Sequence, residues 1–417
     1  MIKRDLYQKI RPYLEEKEIL LIIGPRQSGK TTLMKMLERE LIKKGKRTVF
    51  FNLDIERDHQ FFVNQERFVS ELKLRLGKGE GYVFIDEIER KENVGLFLKG
   101  LYDMNLPYKF IVSGSGSLEL KAKINEALTG RKFTFQLNPL SFKEFVNYKT
   151  QYLYEDHWEQ FFINDPIKAQ ALFEEYLSFG GYPRVVVEDD LEKKNRVINE
   201  IYQSYLEKDL VYLLGLRKTP GLTFLVKILA SSLGRLVNIS ELSNTLGLSI
   251  PTIKNYLFLL EKTFIVRKLT PFFSNVRKEI TKTPVYYFYD LGMVNFVLNR
   301  FYRQTEREVD GFLFQNFVAN ILFDFFSDQP INIYFWRTKE KNEIDFIIDM
   351  KKEIIPVEVK YQRLKKEKTP RAFLSFFKKY PVNRAWVINL DFKKKIKEKK
   401  VAIDFFPYWH LSSFKNG

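Results

Sequence analysis

Eight consecutive residues, Gly24-Pro-Arg-Gln-Ser-Gly-Lys-Thr31, carry the most specific chemistry in this 417-residue chain. They follow the pattern G-x-x-x-x-G-K-[ST]. In that pattern glycines let backbone amides wrap phosphate oxygens, a lysine reaches the β- and γ-oxygens, and a hydroxyl ligates magnesium. Gly24, Pro25, Arg26, Gln27, Ser28, Gly29, Lys30, Thr31 and Thr32 are the candidate nucleotide-binding residues. ATP with Mg2+ is the expected pair, GTP the alternative. Further along, Tyr82-Val-Phe-Ile-Asp86-Glu87 reads as a buried strand ending in two acids. Asp86 is placed to hold the magnesium through water and Glu87 to polarise the attacking water, which points to hydrolysis. A third run, Phe110-Ile-Val-Ser113-Gly-Ser115, ends in small hydroxyl residues. Ser113 there has two readings: it senses the γ-phosphate or orients the water, or it merely belongs to a strand-to-loop turn. Asn52, closing the strand at Phe50-Phe51, is within reach of Glu87 in a nucleotide-free state.

A second constellation lies near the C-terminus. Glu343-Ile-Asp345-Phe-Ile-Ile-Asp and Ile354-Ile-Pro-Val-Glu358-Val-Lys360 read as neighbouring strands. Residues two apart on a strand share a face, so Glu358 and Lys360 point together and Asp345 can join them. Two carboxylates make a magnesium seat, and a lysine can steady an attacking water or a charged intermediate. Between the two sites, Val237 to Leu257 carries a helix-turn-helix pattern, with Gly247 in the turn and Ser249 capping the second helix. Ile253, Leu257 and Leu260 face a core, which leaves Thr252, Lys254 and Asn255 exposed where a recognition helix meets the major groove. Arg267, Lys268, Arg277, Lys278 and Lys282 follow in a β-rich wing and could neutralise DNA phosphates. The competing reading is a protein-docking module or an extension of the ATPase lid.

The elements needed to position these residues are legible as a pattern of apolar runs. Strands are expected at Ile19–Ile23, Thr48–Leu53, Tyr82–Ile85, Lys109–Val112 and Lys132–Leu137, alternating with polar-faced helices as a parallel α/β sheet requires. A helical stretch from Ile167 to Leu216 is broken by Gly-Gly-Tyr-Pro-Arg at Gly180–Arg184. Residues 222–289 read helix, helix, turn, helix and then β-rich. An amphipathic helix follows Asp310. Strands are expected around Tyr334–Trp336, Glu343–Ile348, Ile354–Val359 and Ala385–Leu390, with a helix near Thr369–Lys379. The fold class is α/β. The expected domains are a P-loop core over 1–150, a helical segment over 151–220, a helix-turn-helix with a β-rich wing over 221–295 and a small α/β unit over 296–417; the resemblance described below implies that the second is a helical lid, the third a winged helix-turn-helix and the last a restriction-endonuclease-like domain. Lys393–Lys400 (KKKIKEKK) reads as a solvated loop or helix end.

Composition narrows the chemistry. The chain has no cysteine, which excludes disulfides, thiolate metal sites and cysteine nucleophiles. Its three histidines, His59, His157 and His410, are far apart in sequence, so a metal should be a hard ion on carboxylates and phosphates. With 69 Lys and Arg against 52 Asp and Glu, the formal charge is +17, which fits a polyanionic partner such as nucleic acid, an acidic membrane surface, or simply a soluble lysine-rich surface. High Lys and Glu without Cys also suits a thermophile. No signal-peptide core and no apolar run of membrane-spanning length is evident, so the chain reads as cytoplasmic, with no membrane partner.

With these residues in hand, the chain resembles a family of archaeal and bacterial AAA+-type ATPases in which the P-loop core is followed by a winged helix and a C-terminal nuclease-like domain. The resemblance is carried by Gly24–Thr32, by Asp86-Glu-Ile88, by Ser113-Gly-Ser115 with Ser for the family's Thr, and by Leu128-Thr-Gly-Arg131. It continues through Leu137-Asn-Pro-Leu-Ser-Phe-Lys-Glu-Phe145, Gly180-Gly-Tyr-Pro183 and Tyr205-Leu-Glu-Lys-Asp-Leu210. It implies that Arg131 is an arginine finger acting on a neighbouring subunit, within a homo-oligomer that could be a hexameric ring. The competing role for Arg131 is a helix C-cap cation. Arg184 would be a second sensor of nucleotide, or else a lid-core or surface arginine. The Asp345, Glu358, Lys360 arrangement resembles the PD-(D/E)xK nuclease superfamily. Many of its members carry a glutamate where this chain has Gln315 on the preceding helix. That departure sets a cutting domain against a DNA clamp. The expected function is an ATP-hydrolysing ATPase that binds or remodels DNA; the alternative is a nucleotide-dependent switch or scaffold for a protein partner.

Overall fold

Six apolar residues in a row, Ile19–Gly24, form strand β1, and all six are buried. Continuous rather than alternating burial marks a strand covered on both faces, as in a parallel sheet flanked by helices. The same holds for β3 (Gly81–Asp86) and β4 (Tyr108–Ser115), whereas β2 (Thr48–Asn52) and β5 (Lys132–Gln136) are only partly buried. The five strands form one sheet in the order β2-β3-β4-β1-β5, and every pairing is parallel. The helices Lys30–Lys43, Gln65–Leu76 and Val94–Asp103 connect them. Leu33, Met34, Leu37 and Leu41 of the first helix close a core against Leu20, Ile22, Ile10 and Leu14.

The structure is a computed structural model that describes residues 2–116, 126–204, 220–273, 283–301, 307–340 and 342–413. The chain forms two units that interleave along the sequence. One comprises residues 1–140, 182–218 and 257–265; the other comprises 141–181, 219–256 and 266–417.

The second unit is built on a six-stranded mixed sheet in the order β12-β13-β11-β10-β9-β8. Its strands are β8 (Asn332–Arg337), β9 (Glu343–Asp349), β10 (Ile354–Val359), β11 (Arg384–Asn389), β12 (Lys394–Glu398) and β13 (Val401–Pro407). Trp336, Phe373, Phe376, Val387, Ile403 and Phe405 make its core. A second cluster of rings joins Phe142, Phe173, Phe317 and Tyr408, with Phe173 and Tyr408 stacked at 4.3 Å. Where the β-rich wing is expected, β6 (Val266–Leu269) and β7 (Val285–Phe288) form an antiparallel pair.

The expected strands are present, with shifted ends. β4 runs on through Ser115, so Ser113 lies inside the strand rather than in a turn after it. The Lys393–Lys400 segment is not a loop or helix end: it forms β12 and its turn into β13. An edge strand keeps one side in water, where lysines are tolerated and discourage further strand pairing, so its sequence looks like a solvated run. The Tyr205–Leu210 motif and Arg277, Lys278 and Lys282 lie outside the described residues.

Candidate nucleotide-binding site

The carboxyl ends of β1, β2, β3 and β4 bring Gly24, Asn52, Asp86 and Ser115 to one edge of the parallel sheet. Ligands of open α/β sheets bind in the crevice outside such strand ends. Two glycines are required there. A Cβ on Gly24 would stand 2.2 Å from the Leu137 carbonyl oxygen, because the chain leaving β5 passes against β1 and Leu137 donates its N–H to the Ile23 carbonyl at 2.8 Å. Gly29 has φ +97° and caps the helix Lys30–Lys43 from the left-handed region. The loop therefore turns directly into a helix N-terminus, whose unpaired amides favour phosphate. Lys30 is buried and donates from Nζ to the carbonyls of Gly24 (3.2 Å) and Pro25 (3.0 Å). The Ser28 hydroxyl is buried with no hydrogen-bond partner among the described residues.

Thr31 and Asp86 meet as expected: Thr31 Oγ1 donates to Asp86 Oδ2 at 2.6 Å. Ser113 Oγ donates to the other oxygen, Oδ1, so Ser113 holds Asp86 in place. A hydroxyl and a fixed carboxylate beside a lysine and a helix N-terminus are the donor set that Mg2+ and nucleotide phosphates need, and the unpartnered Ser28 hydroxyl leaves a polar group for a ligand to meet. Glu87 adopts φ +55°, a left-handed conformation unusual for a residue with a side chain. Burial pushes its carboxyl up to about 8; Glu89 adds to the shift and Lys30 opposes it. Glu89 in turn accepts the Ser115 N–H at 2.8 Å. Asn52 does not serve Glu87: its Oδ1 accepts the Asp54 N–H at 2.9 Å in a local turn.

The Gly180–Arg184 motif has a visible reason. Gly180 has φ +72°, and a Cβ there would meet the Asp290 carboxylate at 2.3 Å. Asp290 accepts the N–H groups of Gly181 (2.7 Å) and Met293 (3.1 Å), and burial raises its carboxyl to about 6. Just after the turn, Arg184 donates to Gln27 of the phosphate loop (3.3 Å) and to Glu200 (3.1 Å). Arg131 lies at the other edge of the sheet, beside the start of β1: its carbonyl accepts the Ile19 N–H, and its guanidinium pairs with Asp103 at 3.0 Å. Arg131 is thus not part of its own chain's phosphate site.

Sequence reasoning missed Arg4 and Glu89. Arg4 is buried, donating to the Ser28 carbonyl (2.8 Å) and the Asn138 carbonyl (2.6 Å). Its partners are backbone oxygens, which leave no trace in a motif. Glu89 was marked only by being a third acid beside Asp86 and Glu87.

Ser249 caps the helix Ile250–Lys262 through the Thr252 N–H (3.3 Å) and hydroxyl (2.8 Å), as expected. Ile253, Leu257 and Leu260 are buried, while Lys254, Asn255 and Lys268 are exposed. Arg267 differs from expectation. Its guanidinium lies between the rings of Tyr289 (4.3 Å) and Phe323 (4.1 Å), a packing role that commits its charge to aromatic faces.

Asp345, Glu358 and Lys360 do converge, together with Gln315. Gln315 Nε2 donates to Asp345 Oδ1 at 2.7 Å, the Val359 N–H donates to Oδ2 at 2.7 Å, and Lys360 pairs with Glu358 at 2.6 Å. Burial, and then the charge of Glu358, raise the Asp345 carboxyl well above the usual carboxylate range. At the magnesium seat expected here, both Asp345 oxygens accept protein N–H groups and Glu358 Oε1 pairs with Lys360, while Glu358 Oε2 is buried with no hydrogen-bond partner among the described residues. Among the described residues no group of three or more His, Cys, Asp or Glu side chains is arranged to hold a metal ion. Among the same residues no helix is long and apolar enough to cross a membrane.

Fold and loop together define a P-loop nucleotide-binding domain. Residues 16–146 match the AAA domain family, which supports a nucleotide-binding ATPase of that class. Residues 170–304 and 310–408 match two domains of unknown function, DUF8612 and DUF4143. The chain is similar to uncharacterized proteins of Haemophilus influenzae (26% identity, covering 87% of each chain) and Methanocaldococcus jannaschii (25% identity, covering 99% of this chain and 91% of the relative). Among solved structures, AMPPCP-bound DnaA from Aquifex aeolicus is a distant likeness, with 15% identity, a TM-score of 0.30, and coverage of 63% of this chain and 90% of that one.

Proposed function

We propose that this protein hydrolyses ATP and uses the cycle to bind or remodel DNA. The observation that carries the reading is the meeting of Lys30, Thr31 and Asp86 at one edge of the parallel sheet, with Glu87 next in sequence. Lys30 leaves the Gly24 and Pro25 carbonyls to take the phosphate oxygens, while Glu87 accepts a proton from the water whose oxygen attacks the γ-phosphorus, releasing ADP and phosphate. Thr31 and Asp86 would hold Mg2+, which supplies charge neutralisation on those oxygens. Arg184, bonded to Gln27, is placed to feel a change in the loop.

The helices Pro220–Ser231, Ile239–Leu246 and Ile250–Lys262 with the β6–β7 pair form the parts of a winged helix, with Lys254, Asn255 and Lys268 on its exposed surface. We assign the DNA contacts to this surface and give the C-terminal domain a holding role without cleavage, since Gln315 and Val359 take both oxygens of Asp345 and Lys360 takes Oε1 of Glu358. DNA phosphate contacts displace counterions. Raising salt from about 50 to about 200 mM should therefore weaken duplex binding roughly a hundredfold if about four phosphates are neutralised. A gel shift series measures this. No shift at the lower salt would favour the protein-scaffold reading.

Arg131, remote from its own loop, is proposed to complete the site of a neighbouring copy. Mixing Lys30→Ala protein with Arg131→Ala protein should then restore part of the ATPase activity that each lacks alone. Full activity in a strictly monomeric protein would remove the trans role.

A further inference from the structure

A phosphate-binding loop works by turning successive N–H groups inward, and that turns carbonyls outward. Outward carbonyls beneath a buried loop need donors, because an unpaired buried acceptor is costly. In this chain the donor comes from far away in sequence. The Arg4 side chain is buried, and its guanidinium spans the Ser28 carbonyl (2.8 Å) inside the loop and the Asn138 carbonyl (2.6 Å) on the chain leaving β5. The same guanidinium lies 3.7 Å from the point where a Cβ on Gly29 would stand, so it sits directly under the turn into the helix Lys30–Lys43. The neighbouring Leu137 N–H bonds to the Ile23 carbonyl, and Gly24 is packed against the Leu137 oxygen. The β5 exit is thus a rigid anchor, and Arg4 ties the far side of the loop to it.

We propose that Arg4 is a positioning residue of the nucleotide site, clamping the phosphate loop to the β5 exit so that its amides stay aimed at the phosphates. The inference rests on the reading of this loop as a nucleotide site. A planar guanidinium suits the task because its fork of donors reaches two carbonyls in fixed geometry, whereas an ammonium concentrates its donors at one point. The clamp acts on ground state and transition state alike, so its loss appears in binding rather than in turnover.

The test measures the dissociation constant for ADP by calorimetry, steady-state ATPase activity, and thermal melting of the full chain for the parent protein, Arg4→Ala and Arg4→Lys. The expected result is an ADP dissociation constant and a KM raised about tenfold in Arg4→Ala, the size of one or two lost charge-assisted hydrogen bonds, with kcat changed less than about threefold. Arg4→Lys should fall between the two, since it keeps the charge and one donor direction. Unchanged ADP affinity in Arg4→Ala would overturn the clamp. So would equal losses in both variants accompanied by a matching fall in melting temperature, which would make Arg4 a folding residue only. If the parent protein binds no nucleotide while remaining folded, it is the reading of the site that fails, and the variants are not needed to see it.

Discussion

Glu87→Gln protein is expected to bind ATP as well as the parent and to hydrolyse it about 10²- to 10⁴-fold more slowly, the usual worth of a positioned general base. The expectation rests on where the carboxyl sits. It lies half-buried beside Lys30 and Glu89, its pKa is raised to about 8, so that the base form accumulates as pH rises toward that value, and its backbone is held in the left-handed region. Conformations of that kind cost about 1–3 kcal/mol and persist where the surrounding structure enforces them. Glutamine keeps the size and one acceptor oxygen but cannot take a proton from water. Filter binding of labelled ATP and a phosphate-release assay separate the two effects, with Lys30→Ala as the variant that loses binding itself. Turnover at the parent rate in Glu87→Gln would show that another group activates the water; Glu89, which accepts the Ser115 N–H, would be examined next.

The phosphate loop and Asp86 were legible because their chemistry is contiguous. A phosphate cradle is made by backbone amides of one short segment, so its glycines, lysine and hydroxyl must follow each other in sequence. The parallel sheet was legible for a related reason: β1, β3 and β4 are buried on both faces and appear as unbroken apolar runs. What could not be read is whatever depends on partners distant in sequence. Nothing near Arg4 signals that residues 28 and 138 offer it two carbonyls. Arg267 looked like any basic wing residue until Tyr289 and Phe323 closed on it. Asn52 ends its strand as expected, yet a turn two residues long captures its side chain before Glu87 can. The lysines of β12 hid a strand because an edge asks for little burial.

The C-terminal carboxylates give the sharpest case of a motif whose parts meet and whose chemistry differs. Asp345 and Glu358 are close, and two buried carboxylates without a cation between them repel. The structure meets that repulsion with neutral and positive donors: Gln315 and Val359 on Asp345, Lys360 on Glu358. Burial would pull the Lys360 ammonium down, but Glu358 and Asp345 outweigh it and hold it protonated. Gln315 is therefore the lock, since a carboxyl in its place would add a further acid to Asp345, Glu358 and the nearby Glu343. Gln315→Glu is expected to destabilise the metal-free protein by about 3 kcal/mol at neutral pH, because an amide donor is replaced by a like charge in a buried site. Lowering the pH should shrink that loss, as the introduced carboxyl gains a proton and can donate to Asp345 again. Added Mn2+ should also shrink it, because three carboxylates then share a cation. The parent protein should show no Mn2+ response, and because its own raised carboxyls stabilise it as pH falls, the pH effect is read as the change in the difference between the two proteins. Urea melts of both proteins, with and without Mn2+ and at neutral and mildly acidic pH, measure all four conditions. A parent protein stabilised by Mn2+ as strongly as Gln315→Glu would mean that Asp345 and Glu358 give up their present partners for a metal, and the cleaving reading of this domain would return.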